Sequence, residues 1–190
     1  MTIDTLEQEY LQNLERQTFY KGEIITLKAN CYWLLQQGIV KTYTWTEEGN
    51  PITFGYWGIN DLIAEPLFPN YPYRIKCLTK VEIILISVEQ TSEIITLIQH
   101  QILQTEEILF ILRAENMYQR LRQILIWLGD KFGRETELGK MIEIRLTHQD
   151  LAELIGATRV TITKLVNQLE EESFIVRPRR NTIVLCRQRE

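Results

Sequence analysis

Between Leu146 and Ile175, apolar residues recur at helical spacing on both sides of a single glycine, Gly156. This arrangement predicts two short helices meeting at a sharp turn, a helix-turn-helix. Thr147 has the chemistry of an N-cap, and Asp150 sits three residues on, where a capping box places its acceptor. Leu151, Ala152, Leu154 and Ile155 then share one face, with Ala152 small enough for a second helix to cross closely. Gly156 supplies the backbone freedom the turn demands. Thr158 caps the next helix, whose apolar positions are Ile162, Leu165, Val166 and Leu169. Opposite them lies a stripe of Arg159, Val160, Thr163, Lys164 and Asn167. A helix needing only solubility has no use for an exposed valine beside an arginine. A helix entering the major groove of DNA does.

The segment that follows strengthens this reading. Phe174-Ile175-Val176 and Thr182-Ile183-Val184-Leu185 flank Arg177-Pro178-Arg179-Arg180-Asn181, which predicts a β-hairpin with a basic turn. In a winged helix, Arg177, Arg179 and Arg180 would lie over phosphate. Formal net charge is −4, which taken alone speaks against a polyanion partner, but its distribution is uneven. Residues 1–112 carry −7, residues 113–144 carry +1 and residues 145–190 carry +2. A C-terminal module with clustered arginines binds a polyanion locally, provided Glu170, Glu171 and Glu172 point away from it.

From Phe19 to Ser87 the chain is rich in Ile, Val, Thr, Tyr and Trp, and punctuated by glycine. Strands are expected at 24–27, 32–35, 39–45, 52–56, 74–78 and 81–86, with Glu47-Glu48-Gly49-Asn50 as a hairpin turn. Short strands at this spacing predict an antiparallel barrel or roll. The period then becomes helical. Ile95, Ile98, Ile102, Thr105, Leu109, Leu112 and Asn116 recur at steps of three and four, a seam for a second copy of the same helix. Ile94, Leu97, Ile108 and Ile111 form a neighbouring face suited to covering the roll. Met117 to Phe132 reads as a further helix, with a hinge near Ala114–Met117. The expected organisation is α+β: a sensor roll over 1–89, a dimerisation helix and hinge over 90–116, and a winged helix over 117–190.

Other function classes find little support. There is no Ser-His-Asp set, paired-carboxylate signature, glycine-rich phosphate loop or metal-spaced His/Cys cluster, so no enzyme and no metal site is expected. Cys31, Cys77 and Cys186 are too few and too far apart for an iron–sulfur cluster or a disulfide framework. His100, on a polar helical turn, is a poor haem ligand, and His148 suits a surface or phosphate-contact role. No stretch approaches the length of a membrane span, and the acidic N-terminus lacks a signal-peptide pattern, so a cytoplasmic protein is expected.

With these elements in order, the chain resembles the bacterial Crp/Fnr transcriptional regulators over roughly residues 19–190. The likeness is carried by Phe19-Tyr20-Lys21-Gly22-Glu23-Ile24-Ile25, by Leu35-Gln36-Gln37-Gly38-Ile39-Val40-Lys41 and by the helix-turn-helix. Ile102-Leu103-Gln104-Thr105-Glu106 and Gly156-Ala157-Thr158-Arg159-Val160-Thr161-Ile162-Thr163 are similar to the cyanobacterial nitrogen-control branch. The resemblance implies a cyclic-nucleotide-binding-like jelly roll, a homodimer on palindromic double-stranded DNA, and RNA polymerase as a further partner. Base contacts would fall to Arg159, Val160, Thr163 and Lys164, and phosphate contacts to Thr147, Thr158, Thr161, Arg177, Arg179 and Arg180. Lys164 stands where relatives commonly have arginine, a point charge in place of a fork. An interaction module whose roll binds another protein is the competing class, against which the Arg159 stripe argues.

The effector half departs from the family pattern. Cyclic-AMP-binding members carry Gly-Glu-Leu and then Arg-Ser or Arg-Thr gripping the cyclic phosphate. Here the loop reads Ala64-Glu65-Pro66, and the arginine and serine positions fall on Tyr71 and Pro72. Arg74 is three residues late, on the wrong face of a strand. Cyclic AMP is therefore not expected. An effector pocket would draw on Glu65, Tyr71, Tyr73 and Arg74, and the branch implies an organic acid of the 2-oxoglutarate type. A regulator with no effector is the alternative.

Overall fold

The β-branched runs of the N-terminal half pair into two four-stranded antiparallel sheets. One has the order β1 (Arg16–Phe19), β8 (Val81–Ser87), β3 (Cys31–Gln37), β6 (Leu62–Ala64); the other β2 (Ile24–Ile25), β7 (Arg74–Cys77), β4 (Val40–Trp45), β5 (Pro51–Trp57). The computed structural model describes residues 14–26, 30–64, 72–89 and 94–187. Most neighbours are distant in sequence, as in a roll; in these two sheets, among the described residues, β4 and β5 alone form a tight hairpin, around the expected turn at Gly49. Gly38 takes a φ of 90°, and a Cβ there would lie 2.1 Å from the Lys80 carbonyl, so the approach of this turn to β8 excludes any larger residue. The strand β8 is buried at Val81 and from Ile83 to Ile86, as expected of a strand covered on both faces. Two strands were not expected, β1 and β6, both short.

The chain divides into two compact units, Met1–Glu106 and Glu107–Glu190, with the boundary inside helix α1 (Ile95–Leu112). In the first unit, Ile94 and Leu97 join Leu34, Leu62, Ile84 and Ile86 in one apolar cluster. Ile98, expected in the seam, is half-buried against that cluster within the protomer. Further along, Gln104 Nε2 donates to Asp61 Oδ1 at 2.7 Å, while Asp61 Oδ2 accepts from the Gly58 amide at 2.6 Å. This buried carboxylate fastens the β5–β6 turn to the helix. Ile95, Ile102 and Leu109 stand exposed, as a seam awaiting a partner requires, but so do Leu103 and Phe110 on the adjoining stripe.

In the second unit, Ile108 and Ile111 are buried. The backbone breaks helical form between Leu112 and Met117, where the hinge was expected. Asn116, counted in the seam, instead caps helix α2 (Met117–Phe132), its side chain accepting from the Gln119 amide. That helix buries Leu121, Ile124, Leu125, Trp127 and Leu128 on one face. A hairpin of β9 (Gly133–Thr136) and β10 (Gly139–Ile142), not expected, precedes helices α3 (His148–Ile155) and α4 (Arg159–Glu171). The strands β11 (Ile175–Val176) and β12 (Val184–Cys186) complete a sheet ordered β11-β12-β10-β9.

Candidate nucleic-acid interface

The geometry of α3 and α4 follows from local chemistry. Thr147 and Asp150 form a reciprocal capping box: the Asp150 amide donates to Thr147 Oγ1 at 3.1 Å and the Thr147 amide to Asp150 Oδ2 at 3.0 Å. The Thr147 hydroxyl also bonds Asp150 Oδ2, at 2.5 Å. Expected at phosphate, this threonine is committed to its own helix. At the other end Gly156 is left-handed, with φ 72° and ψ 42°, and turns the chain into α4. Thr158 caps α4 through the Thr161 amide at 3.1 Å, and the two hydroxyls lie 2.9 Å apart. Leu151, Ala152, Leu154 and Ile155 of α3 are buried, as are Ile162, Val166 and Leu169 of α4.

With that face buried, Arg159, Val160, Lys164 and Asn167 are turned outward, Val160 with 66% of its surface exposed. Thr163 is the exception. It is half-buried, donates its hydroxyl hydrogen to the Arg159 carbonyl at 2.9 Å, and meets His148 Nδ1 at 2.8 Å. Expected among the base contacts, it braces α4 against the start of α3 instead.

The wing is held by a second brace that spacing could not reveal. Arg177 Nε donates to Glu170 Oε2 at 3.0 Å, the Arg177 amide to Glu170 Oε1 at 3.2 Å, and an Arg177 terminal nitrogen to Asn167 Oδ1 at 2.9 Å. The guanidinium holds the Glu170 carboxyl below its ordinary range. Arg177, expected over phosphate, is thus a tie between wing and α4. Glu172 accepts from Tyr118 and Gln168, which likewise lower it, so two of the three clustered glutamates are drawn aside by partners. Arg179 and Arg180 are exposed. Together with His148, Arg159 and Arg177 they line an open groove of about 610 Å³ between α3, α4 and the wing. Burial, then the charges of Arg177 and Arg159, push the His148 pKa down.

Of the four residues expected to receive an effector, two are described. Glu65 and Tyr71 lie outside the described residues. Tyr73 stacks on Phe54 with ring centroids 5.9 Å apart, and burial pushes its phenol up to about 12 against a hydrogen bond with Thr42. Trp57 Nε1 donates to the same Thr42 hydroxyl at 2.8 Å. Arg74 is exposed, its guanidinium carbon 5.7 Å from the centroid of the Trp45 ring. Cys31, Cys77 and Cys186 are free thiols. Among the described residues, no helix is long and apolar enough to cross a membrane.

Comparison with known proteins fixes the family. A model of the Crp-like helix-turn-helix domain matches residues 119–189. The regulatory protein CysR of Synechococcus elongatus is 39% identical over 162 residues, covering 82% of this chain and 77% of its own. The chain belongs to the Crp/Fnr family of transcriptional regulators. The global nitrogen regulator of Synechocystis is 30% identical over 174 residues, covering 83% of this chain and 75% of that one. A CRP-family regulator from Thermus thermophilus shares the fold with a TM-score of 0.75 at 17% identity, over 90% of this chain and 92% of its own. This member of the Crp/Fnr family is accordingly a DNA-binding transcription regulator and not an enzyme, and the two curated relatives named above are cyanobacterial.

Proposed function

We propose that this regulator binds a palindromic site in duplex DNA as a homodimer, each protomer reading one half-site with α4. The observation that carries the reading is the outward stripe of Arg159, Val160 and Lys164 beside the arginine-lined groove. Arg159 would pair with guanine O6 and N7, Val160 would touch a thymine methyl, and Lys164 would add a looser polar contact. Thr158 and Thr161, at the N-terminus of α4, and Arg179 and Arg180, on the wing, would hold the backbone and so fix register without reading sequence. Arg177 and Thr147 support these contacts from behind. The exposed Ile95, Ile102 and Leu109 of α1 supply the homodimer seam, with Thr105 and Leu112 at intervening positions. Selection of bound duplexes from a random pool, followed by gel shift, tests the proposal. A two-fold symmetric motif is expected; recovery of no motif, or of an asymmetric one, would overturn it.

A second reading concerns control. The packing of Tyr73 on Phe54, with Thr42 bonded to Trp57, favours a roll that works without a metabolite. An effector such as 2-oxoglutarate would raise the melting temperature in a ligand screen, because binding to the native state stabilises it. No rise with 2-oxoglutarate or cyclic AMP, alongside intact DNA binding, supports the effector-independent form.

A further inference from the structure

His148 is the first residue of α3, and the function described so far makes no use of its chemistry. The Thr163 hydroxyl has one hydrogen and gives it to the Arg159 carbonyl at 2.9 Å. The 2.8 Å contact between that hydroxyl and His148 Nδ1 therefore has the imidazole as donor. Nδ1 keeps its hydrogen in both the neutral and the protonated ring, so this brace survives titration. Nε2 is the atom left to gain or lose a proton, on a residue that lines the arginine groove.

We propose that His148 is a ligand for a DNA backbone phosphate in this groove, taking up a proton at Nε2 as the duplex binds. This rests on the DNA-binding reading above and extends it to the protonation state of the complex.

The charges around the ring set the direction. Arg159 faces it from α4, and Arg177, Arg179 and Arg180 line the same groove from the wing. Of the nearby carboxylates, Glu170 is engaged by Arg177 and Asp150 by Thr147. Free protein thus presents the imidazole with partial burial and the nearby guanidinium charges of Arg177 and Arg159, both of which disfavour a further positive charge. A phosphate entering the groove reverses the balance. It neutralises the guanidinium field and offers an anionic acceptor, which favours the charged ring. Affinity must then rise as pH falls through the interval between the free and bound values, by at most about tenfold per pH unit for each proton taken up.

The test is the dissociation constant of the intact protein for its selected duplex, measured from pH 8 to pH 5.5 at fixed salt. Calorimetry in two buffers of different ionisation enthalpy accompanies it. The wild type is expected to bind with uptake of roughly one proton per protomer at the upper limit, and to tighten several-fold toward low pH. His148→Gln should abolish the uptake while His100→Gln, at the only other histidine, leaves it unchanged. His148→Arg, with a fixed charge, should bind tightly at every pH. Thr163→Val separates brace from ligand: it removes the acceptor at Nδ1 and should leave proton uptake at Nε2 in place. Melting curves establish that each variant is folded. Sequence-specific binding without proton uptake, or uptake that persists in folded His148→Gln, overturns the proposal and leaves the DNA-binding reading standing. Failure to bind duplex at any pH overturns both.

Discussion

Replacing Arg159 by alanine separates base reading from simple charge attraction. Arg159 opens α4 on its exposed side, while the helix is anchored by Ile162, Val166 and Leu169 and capped by Thr158. Its side chain is outside that packing, so stability should change by no more than about 0.5 kcal/mol, as for other surface substitutions. A bidentate arginine–guanine pair discriminates by about 1–3 kcal/mol. A homodimer loses it twice, giving about 2–6 kcal/mol, or a roughly 30-fold to 20,000-fold rise in the dissociation constant on the preferred palindrome. The assay is a double-mutant cycle: wild type and Arg159→Ala, each against the selected duplex and one with the contacted guanine pair replaced in both half-sites. The variant should bind the two duplexes almost equally, and the wild type should fall to its level on the altered one. An equal loss on every sequence, with the salt dependence weakened by about one phosphate contact per half-site, would show that Arg159 holds the backbone and would refute base readout.

Four further outcomes are expected. Val160→Glu should move selection from thymine toward cytosine at one position of each half-site, because a carboxylate accepts from the cytosine amino group and is repelled by acceptor base edges; an unchanged motif disproves the contact. Ile102→Asp with Leu109→Asp should give monomers in sedimentation, since like charges would be buried across the seam, whereas a persisting dimer places the interface elsewhere. Gly156→Ala should cost roughly 1–2 kcal/mol in urea denaturation, from the left-handed backbone alone, because a Cβ at this residue meets nothing within 4 Å. Arg177→Ala should remove a small acid dependence of stability: the Glu170 pKa is lowered in the folded state, so its contribution is present above the ordinary carboxylate range and lost as pH falls through the lowered value. Identical acid titrations of wild type and variant would show the pair to be without effect on stability.

What could be read from sequence tracks how local the deciding interaction is. The caps at Thr147 and Thr158, the turn at Gly156 and the buried faces of α3 and α4 depend on neighbours within four residues, and spacing reveals them. The Phe132 end of α2 is legible for the same reason, since Gly133 closes it. The bracing contact of Thr163 is not visible in spacing, because helical phase places it beside Arg159 and Lys164, while the group it meets, His148, lies fifteen residues away. The tie made by Arg177 is hidden in the same way: a basic turn looks free until Glu170 is found across the α4–β11 corner, seven residues back. The β9–β10 hairpin escaped because Gly133-Arg134-Glu135-Thr136 carries no apolar alternation. Its place is set by Lys140 and Met141 pairing with Leu185 and Val184 of the wing, forty-odd residues on. Asn116 fits the three-four repeat of α1 by number alone; an asparagine ahead of a new helix is better explained as its cap.

The roll shows how the same reasoning bears on an effector. On β7 the alternation runs Arg74 out, Ile75 in, Lys76 out, Cys77 in, so the cations of this strand face away from the interior. Cys77 is itself pushed up to about 11 by burial and by Glu23, and at neutral pH it is a thiol without charge. The phenol of Tyr73, pushed up to about 12, is likewise neutral and serves as a hydrogen-bond donor or acceptor, never as a counter-ion. A cyclic phosphate entering beside β7 would therefore be desolvated with no guanidinium supplied by that strand, a cost of several kcal/mol that weak hydrogen bonds do not offset. Nor would it gain a charge from Tyr73, whose neutral ring is stacked on Phe54. Both terms oppose anions of the cyclic-nucleotide kind. Among the described residues, the polar groups that Tyr73 and Thr42 could offer a ligand at this strand are a phenol and a hydroxyl, and the hydroxyl already accepts from Trp57.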